Sequence, residues 1–188
     1  MKRINVFLWA HIFALFCSIS WAKSCEVPVG TMNVAGLKIG QHIREFQQHH
    51  PTAKTVILGG DNYQFEFAQG VDTQIKKAGV SWVQHIRYDP HSKMIISYSL
   101  SFLDGPLATY ETDLDVFKSR VLKRFQVAQN GWKQAENKYV YQCDDYRIEI
   151  YQDHGVGHTA IGPTVMVFSK KSDAYELKKS HAAMGFFL

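Results

Sequence analysis

Long apolar runs are nearly missing from this chain, and the single one lies at its start. Ile4 to Ile19 follow the basic Met1-Lys2-Arg3 and lead into Ser20-Trp21-Ala22. Nothing later approaches the ~20 consecutive apolar residues that a membrane-spanning helix needs, so no transmembrane segment is expected beyond residue 22. The run itself is short, contains His11 and ends on small residues placed for a cut after Ala22, the pattern of a secretory signal peptide. A periplasmic or secreted chain beginning at Lys23 is therefore expected. Cysteine is also scarce, with 3 in all, which excludes a disulfide-dense scaffold. No Cys-x-x-Cys or His-Glu-x-x-His occurs, so neither a zinc-binding cysteine knuckle nor a metalloprotease helix is written here. Charge of one sign is lacking too. Against 21 Lys and Arg stand 17 Asp and Glu, and Lys2 and Arg3 leave with the signal segment. Counterion-driven nucleic-acid binding needs a clustered basic surface, and none is visible, so no nucleic-acid partner is expected.

Cys17 lies in the segment to be removed. Cys25 and Cys143 then form an even pair, and in an oxidising compartment one disulfide between them is expected. It would join an N-terminal tether, 23–35, to a hairpin in the second half.

That hairpin, Lys138 to Gln152, predicts its own pairing. With Asp144-Asp145 as a two-residue turn, Tyr141 faces Ile148 and Tyr139 faces Ile150 on an apolar side. Gln142 with Arg147, Val140 with Glu149 and Lys138 with Tyr151 then form a wet side. A slip by one residue would mix the two sets, so the register is specified.

The rest reads as helix, then four strands, given twice. Ile39, Ile43, Phe46 and His50 make the apolar stripe of a short helix that Pro51 stops. Strands at 54–58 and 63–68 flank the turn cluster Gly59-Gly60-Asp61-Asn62. A second hairpin, 80–88 with 94–102, is expected to pair Tyr88 with Met94, Ile86 with Ile96 and Trp82 with Leu100. Its reverse face shows His85 and Arg87 beside Ser97, Ser99 and Ser101, read as a solvated sheet surface. Thr112 with Asp115 resembles a capping box opening a helix with Leu114, Phe117, Val121, Phe125 and Ala128 on its buried stripe, ended by Asn130-Gly131. Strands are expected next at Trp132, in the central hairpin and over 164–168, and Ser172 caps a last helix reaching about Ala183. The expected fold is α+β: one domain over 36–188, of two similar halves, 36–103 and 112–169, plus the C-terminal helix, with helices on one face of a largely antiparallel sheet.

The chemistry-bearing candidates are few. His154 and His158, in a glycine-rich loop, are the metal-ligand candidates, although two spaced imidazoles are not by themselves a ligand set, and no metal or cofactor is expected. On the wet side, His85, Arg87, Arg147, Glu149 and Tyr151 are candidate protein contacts, with Trp132 as an anchor, since Trp, Tyr and Arg dominate interface energetics. Removing Arg147 or Tyr151 from such a surface is expected to leave stability nearly unchanged.

Gly36-Leu-Lys-Ile-Gly40, with a short helix and antiparallel strands after it, resembles the tandem modules of beta-lactamase inhibitor proteins and related small outer-membrane assembly lipoproteins. The resemblance implies a non-catalytic module that binds another protein of the cell envelope across an exposed sheet face: an inhibitor, immunity-type factor or envelope accessory protein. The competing expectation is a metal-dependent or hydrolytic enzyme using His154 and His158.

Overall fold

A computed structural model describes residues 23–58, 63–67, 73–153 and 162–174. The expected signal segment 1–22, the turn expected at 59–62, the loop expected to carry His154 and His158, and the part of the expected C-terminal helix beyond residue 174 lie outside the described residues. One antiparallel sheet dominates, built from β1 (Ala53–Ile57), β2 (Tyr63–Phe67), β3 (Trp82–Tyr88), β4 (Ile95–Ser101), β5 (Lys133–Ala135), β6 (Lys138–Gln142), β7 (Tyr146–Asp153) and β8 (Gly162–Ser169). Its order is β1-β2-β3-β4-β8-β7-β6-β5. Two meanders thus meet at their last strands, where Tyr98 pairs with Val167 and Leu100 with Val165. Short helices α1 (Ile43–His49), α2 (Thr73–Lys77) and α3 (Leu114–Arg124) accompany it among the described residues. Among the described residues no helix is long and apolar enough to cross a membrane.

The core lies on one face of the sheet. Phe65, Ile86, Tyr98, Leu100, Val165, Val167, Ile148, Ile150 and Tyr141 alternate along six strands and are all buried. α1 covers this face through Phe46, whose ring lies 4.9 Å from that of Phe65 and 4.7 Å from the buried imidazole of His50. α3 covers it through Phe117, 5.3 Å from Phe102. The Gly36–Gly40 segment enters between them. Both glycines have positive φ, +90 and +79°, a region glycine alone enters without steric cost. Those two bends turn Leu37 and Ile39 inward, where both are buried.

The central hairpin has the register its alternation specifies, with Tyr141 opposite Ile148, Val140 opposite Glu149 and Lys138 opposite Tyr151. Cys143 is bonded to Cys25 across 118 residues of sequence. The tether carries further ties: Tyr141 Oη accepts from the Glu26 N–H at 2.9 Å, and Tyr146 Oη donates to the Val27 carbonyl at 2.8 Å. The Glu26 carboxylate accepts from the N–H groups of Gln129 and Asn130 at 2.8 and 2.9 Å.

Four local expectations are corrected. In the β3–β4 hairpin the register differs by one residue from the turn onward, with Tyr88 opposite Ile95, not Met94; an irregularity at Arg87/Tyr88 then puts Ile86 opposite Tyr98, not Ile96, and a second at Val83/His85, of opposite sense, leaves Trp82 opposite Ser101, not Leu100. The cap of α3 is Asp113, whose Oδ1 accepts from Asp115 N and Val116 N; Thr112 Oγ1 instead accepts from Thr109 N in the preceding turn. The helix ends at Arg124, with Phe125 extended beyond it, well before Asn130. After β8, residues 170–174 are helical, and Ser169 rather than Ser172 receives the backbone N–H, that of Ser172, at 3.1 Å.

The β3–β4 loop is pinned by Asp89. Its Oδ1 accepts from His91 N and Ser92 N, each at 2.8 Å, and its other oxygen pairs with Lys171. Lys171 first, with the two N–H groups assisting, holds the carboxyl well below the usual carboxylate range against the opposing effect of burial. A depressed folded pKa contributes stability above the unfolded value and loses it as pH falls. Asp89→Asn is expected to cost about 1–2 kcal/mol at neutral pH and to flatten the acid dependence below about pH 4. Urea titrations of both forms between neutral pH and pH 3 would show this, and parallel curves would contradict it.

Candidate functional site

The site is the sheet face turned away from α1 and α3. Alternation places there Trp82, His85 and Arg87 from β3, Ser97, Ser99 and Ser101 from β4, Thr164, Met166 and Phe168 from β8, and Arg147, Glu149 and Tyr151 from β7. Five of the six candidate contacts, His85, Arg87, Arg147, Glu149 and Tyr151, share it. Trp132 does not. Its ring packs 5.8 Å from that of Tyr141 on the opposite, core-bearing face, and its Nε1 donates to the Ala128 carbonyl at 2.9 Å, so it is an internal support.

This face is less wet than its alternation suggests. Ser97, Ser99, Ser101 and Thr164 are 0% exposed and Glu149 8%. Small hydroxyl side chains at the centre are overtopped by the long neighbours beside them, so the solvated serine row is corrected to a buried polar floor. Gln84, at the register shift in β3, organises that floor. Its Oε1 accepts from Ser99 Oγ at 2.7 Å, and its Nε2 donates to Ser101 Oγ at 3.2 Å and Asp153 Oδ2 at 2.8 Å. Ser101 and Thr164 join the chain at 2.9 Å. Buried polar groups satisfied in this way rigidify a surface.

Charge is held in a second network beside it. Arg147 donates from Nη1 to Glu149 Oε1 and from Nη2 to Asp173 Oδ1, each at 2.8 Å, and its guanidinium lies 4.5 Å from the centroid of the Phe168 ring. Lys138 Nζ also reaches Glu149 Oε1, at 3.0 Å. Arg147 is thus tied to two carboxylates and stacked on a ring, which favours a stability cost on its removal over the near-neutral outcome expected for a free surface residue.

His85 lies opposite Ser99 in this floor. Burial, with the Arg87 charge adding to it, pushes its imidazole down to about 3, so the ring is neutral across the physiological range. Its Nε2 has no hydrogen-bond partner among the described residues, and neither has Ser97 Oγ. Burial pushes the Tyr151 phenol up, partly offset by a hydrogen bond with Ser99. Among the described residues no group of three His, Cys, Asp or Glu side chains is placed to hold a metal ion. Trp82 stands apart from the buried floor: it is 56% exposed at one margin of the same face.

Comparison with family models, with curated proteins and with solved structures finds no match to this chain. The site is thus read from its own geometry. Two of its residues escape the sequence. An unbroken hairpin puts Trp82 opposite Leu100 and so in the core, and Gln84 carries no signal because its role depends on the same register shift. The one available sign is the Trp-Val-Gln-His run, in which polar residues fall at 84 and 85 together and break the alternation.

Proposed function

We propose that this is an exported, non-catalytic protein-binding module that engages another protein of the cell envelope through the sheet face bearing Trp82, His85, Arg87, Arg147 and Tyr151. The observation that carries the reading is the exposed Trp82 beside a surface already ordered by hydrogen bonds and ion pairs. A large aromatic side chain on a preorganised support gains contact area with little further ordering cost, as interface hot spots do. The basic and apolar N-terminal segment leading into Ser20-Trp21-Ala22 supports export, and the Cys25–Cys143 bond agrees with an oxidising compartment. We read 36–103 and 112–169 as similar halves, each a helix and a four-strand meander. That reading accounts for a sheet order in which each meander ends at the centre, and it keeps the resemblance to the inhibitor and assembly modules as the guide to partner type.

A photoreactive amino acid in place of Trp82, in protein expressed in its native envelope, is expected to give a discrete cross-linked species. The same group at Val116, exposed on α3, is expected to give none. Equal labelling from both positions, or none from Trp82, would count against the sheet face as the contact surface.

A further inference from the structure

On the other side of the molecule the 33–41 segment, α1, α2 and the C-terminal end of α3 enclose an open groove of about 670 Å³. That volume lies inside the range of about 300–1,000 Å³ typical of ligand pockets. Three cations from three different elements line it: Lys38 from the segment after Gly36, Lys77 from α2 and Arg124 from the last turn of α3. Their side chains make no hydrogen bond or ion pair among the described residues. Lys138, Arg147 and Lys171 are all paired with carboxylates. Against the three unpaired cations the groove offers one acid, Glu45.

The groove wall also holds carboxamides. Gln41 is fixed through its backbone, its N–H donating to the Lys38 carbonyl and its own carbonyl accepting from Ile95 N at 2.9 Å. Its side chain is nine-tenths buried, yet its Oε1 has no hydrogen-bond partner. Gln126, exposed just beyond α3 and bridged through its backbone to Asn33, adds a second carboxamide to the lining. A carboxamide offers a donor and an acceptor, which suits a ligand that itself presents both. The internal phosphoryl groups of an inorganic polyphosphate present acceptors alone and would leave the acceptor of Gln41 unmet. A peptide backbone presents N–H and C=O in alternation, and acidic side chains on it would reach the cations.

We infer that this groove binds an acidic peptide segment of a partner protein, its carboxylates taken by Lys38, Lys77 and Arg124 and its backbone by the carboxamides. The inference does not rest on the sheet-face reading, since the groove uses none of those residues.

The test is fluorescence anisotropy with a labelled hexapeptide of alternating Asp and Gly, titrated with the signal-less protein. Binding is expected at low ionic strength and is expected to weaken as salt rises. Lys77→Glu with Arg124→Glu should lower affinity by at least tenfold. Lys133→Glu with Lys170→Glu, the same charge change outside the groove, should leave it within about twofold, and so should Trp82→Ala. Equal losses from both charge-reversed pairs would show attraction to net charge alone and overturn the groove. Polyphosphate binding where the peptide does not would overturn the peptide as ligand. Should charge reversal prevent folding, Lys77→Gln and Arg124→Gln, each folded by circular dichroism, should each weaken the peptide severalfold, and unchanged affinity in both would overturn the proposal.

Discussion

Reducing the Cys25–Cys143 bond is expected to lower the free energy of unfolding by about 2–4 kcal/mol while the sheet persists. The bond spans 118 residues of sequence, so it restricts the unfolded chain over most of the described length. Loop-closure entropy sets an upper bound of about 4–5 kcal/mol for so long a loop, usually not fully realised. The folded side of the balance should change little, because the tether keeps its other ties. Tyr141 and Tyr146 hold the backbone at Glu26 and Val27, and the Glu26 carboxylate holds the loop after α3. Met32, Val34 and Leu37 are fully buried and stay so by packing alone. The measurement is the denaturant midpoint of the oxidised protein, the reduced protein and a Cys25→Ala/Cys143→Ala variant, with far-ultraviolet circular dichroism before the transition. Coincident midpoints for all three would show that the bond constrains nothing the fold does not already fix. Loss of sheet signal on reduction would show instead that the tether depends on the bond.

A feature is legible in the sequence to the extent that it is determined locally. The central hairpin is readable because alternation on both strands leaves one register, and the structure keeps Tyr139 opposite Ile150 and Gln142 opposite Arg147. The β3–β4 hairpin is not, because an extra residue at each irregularity rotates the next stretch of strand to the other face. Trp82 consequently stands in solvent on the polar face instead of in the core. The cap of α3 is hidden on a smaller scale: Thr112, Asp113 and Asp115 are all competent acceptors, and the choice of Asp113 depends on Thr112 being claimed by the turn at Thr109. On the candidate face, residue identity is legible and burial is not. Ser99 and Ser101 read as solvated because nothing in sequence shows that Gln84 and Tyr151 reach them from neighbouring strands. Trp132 misleads for the related reason that one aromatic flanked by polar residues can serve either face. The groove of Lys38, Lys77 and Arg124 has no sequence signature at all, since its cations are distributed over three elements brought together only by folding.

Removing Arg147 is expected to be the most damaging single change on the candidate face, at about 2–3 kcal/mol for Arg147→Met at neutral pH, below the 3–5 kcal/mol of a fully buried broken pair because this one is partly solvated. Glu149 sits on β7 beside the sheet centre, with its side chain 10% exposed, and Arg147 is the closer of its two cationic partners; Lys138 remains after the substitution and limits the loss. Asp173 has no such reserve among the ion pairs of the described residues. Burial raises its pKa, the Arg147 charge and hydrogen bond oppose that rise, and Glu149 adds to it. A carboxyl with a raised folded pKa binds its proton more tightly in the folded chain. Its contribution to stability is therefore greatest below the ordinary Asp range and is lost as pH rises through the folded value. Without Arg147 the folded value moves higher still, so the deficit of the variant should be larger at about pH 7 than at about pH 4. Replacing both members of the inner pair, Arg147→Met with Glu149→Gln, should recover part of the loss, because a buried carboxylate left short of a partner costs more than a neutral amide in its place. Urea midpoints of the parent, the single variants and the double variant at the two pH values provide the measurement. Independent, additive effects of the two substitutions, with no pH dependence, would mean that Arg147 acts only through its contact with the Phe168 ring and that the ion-pair network is incidental.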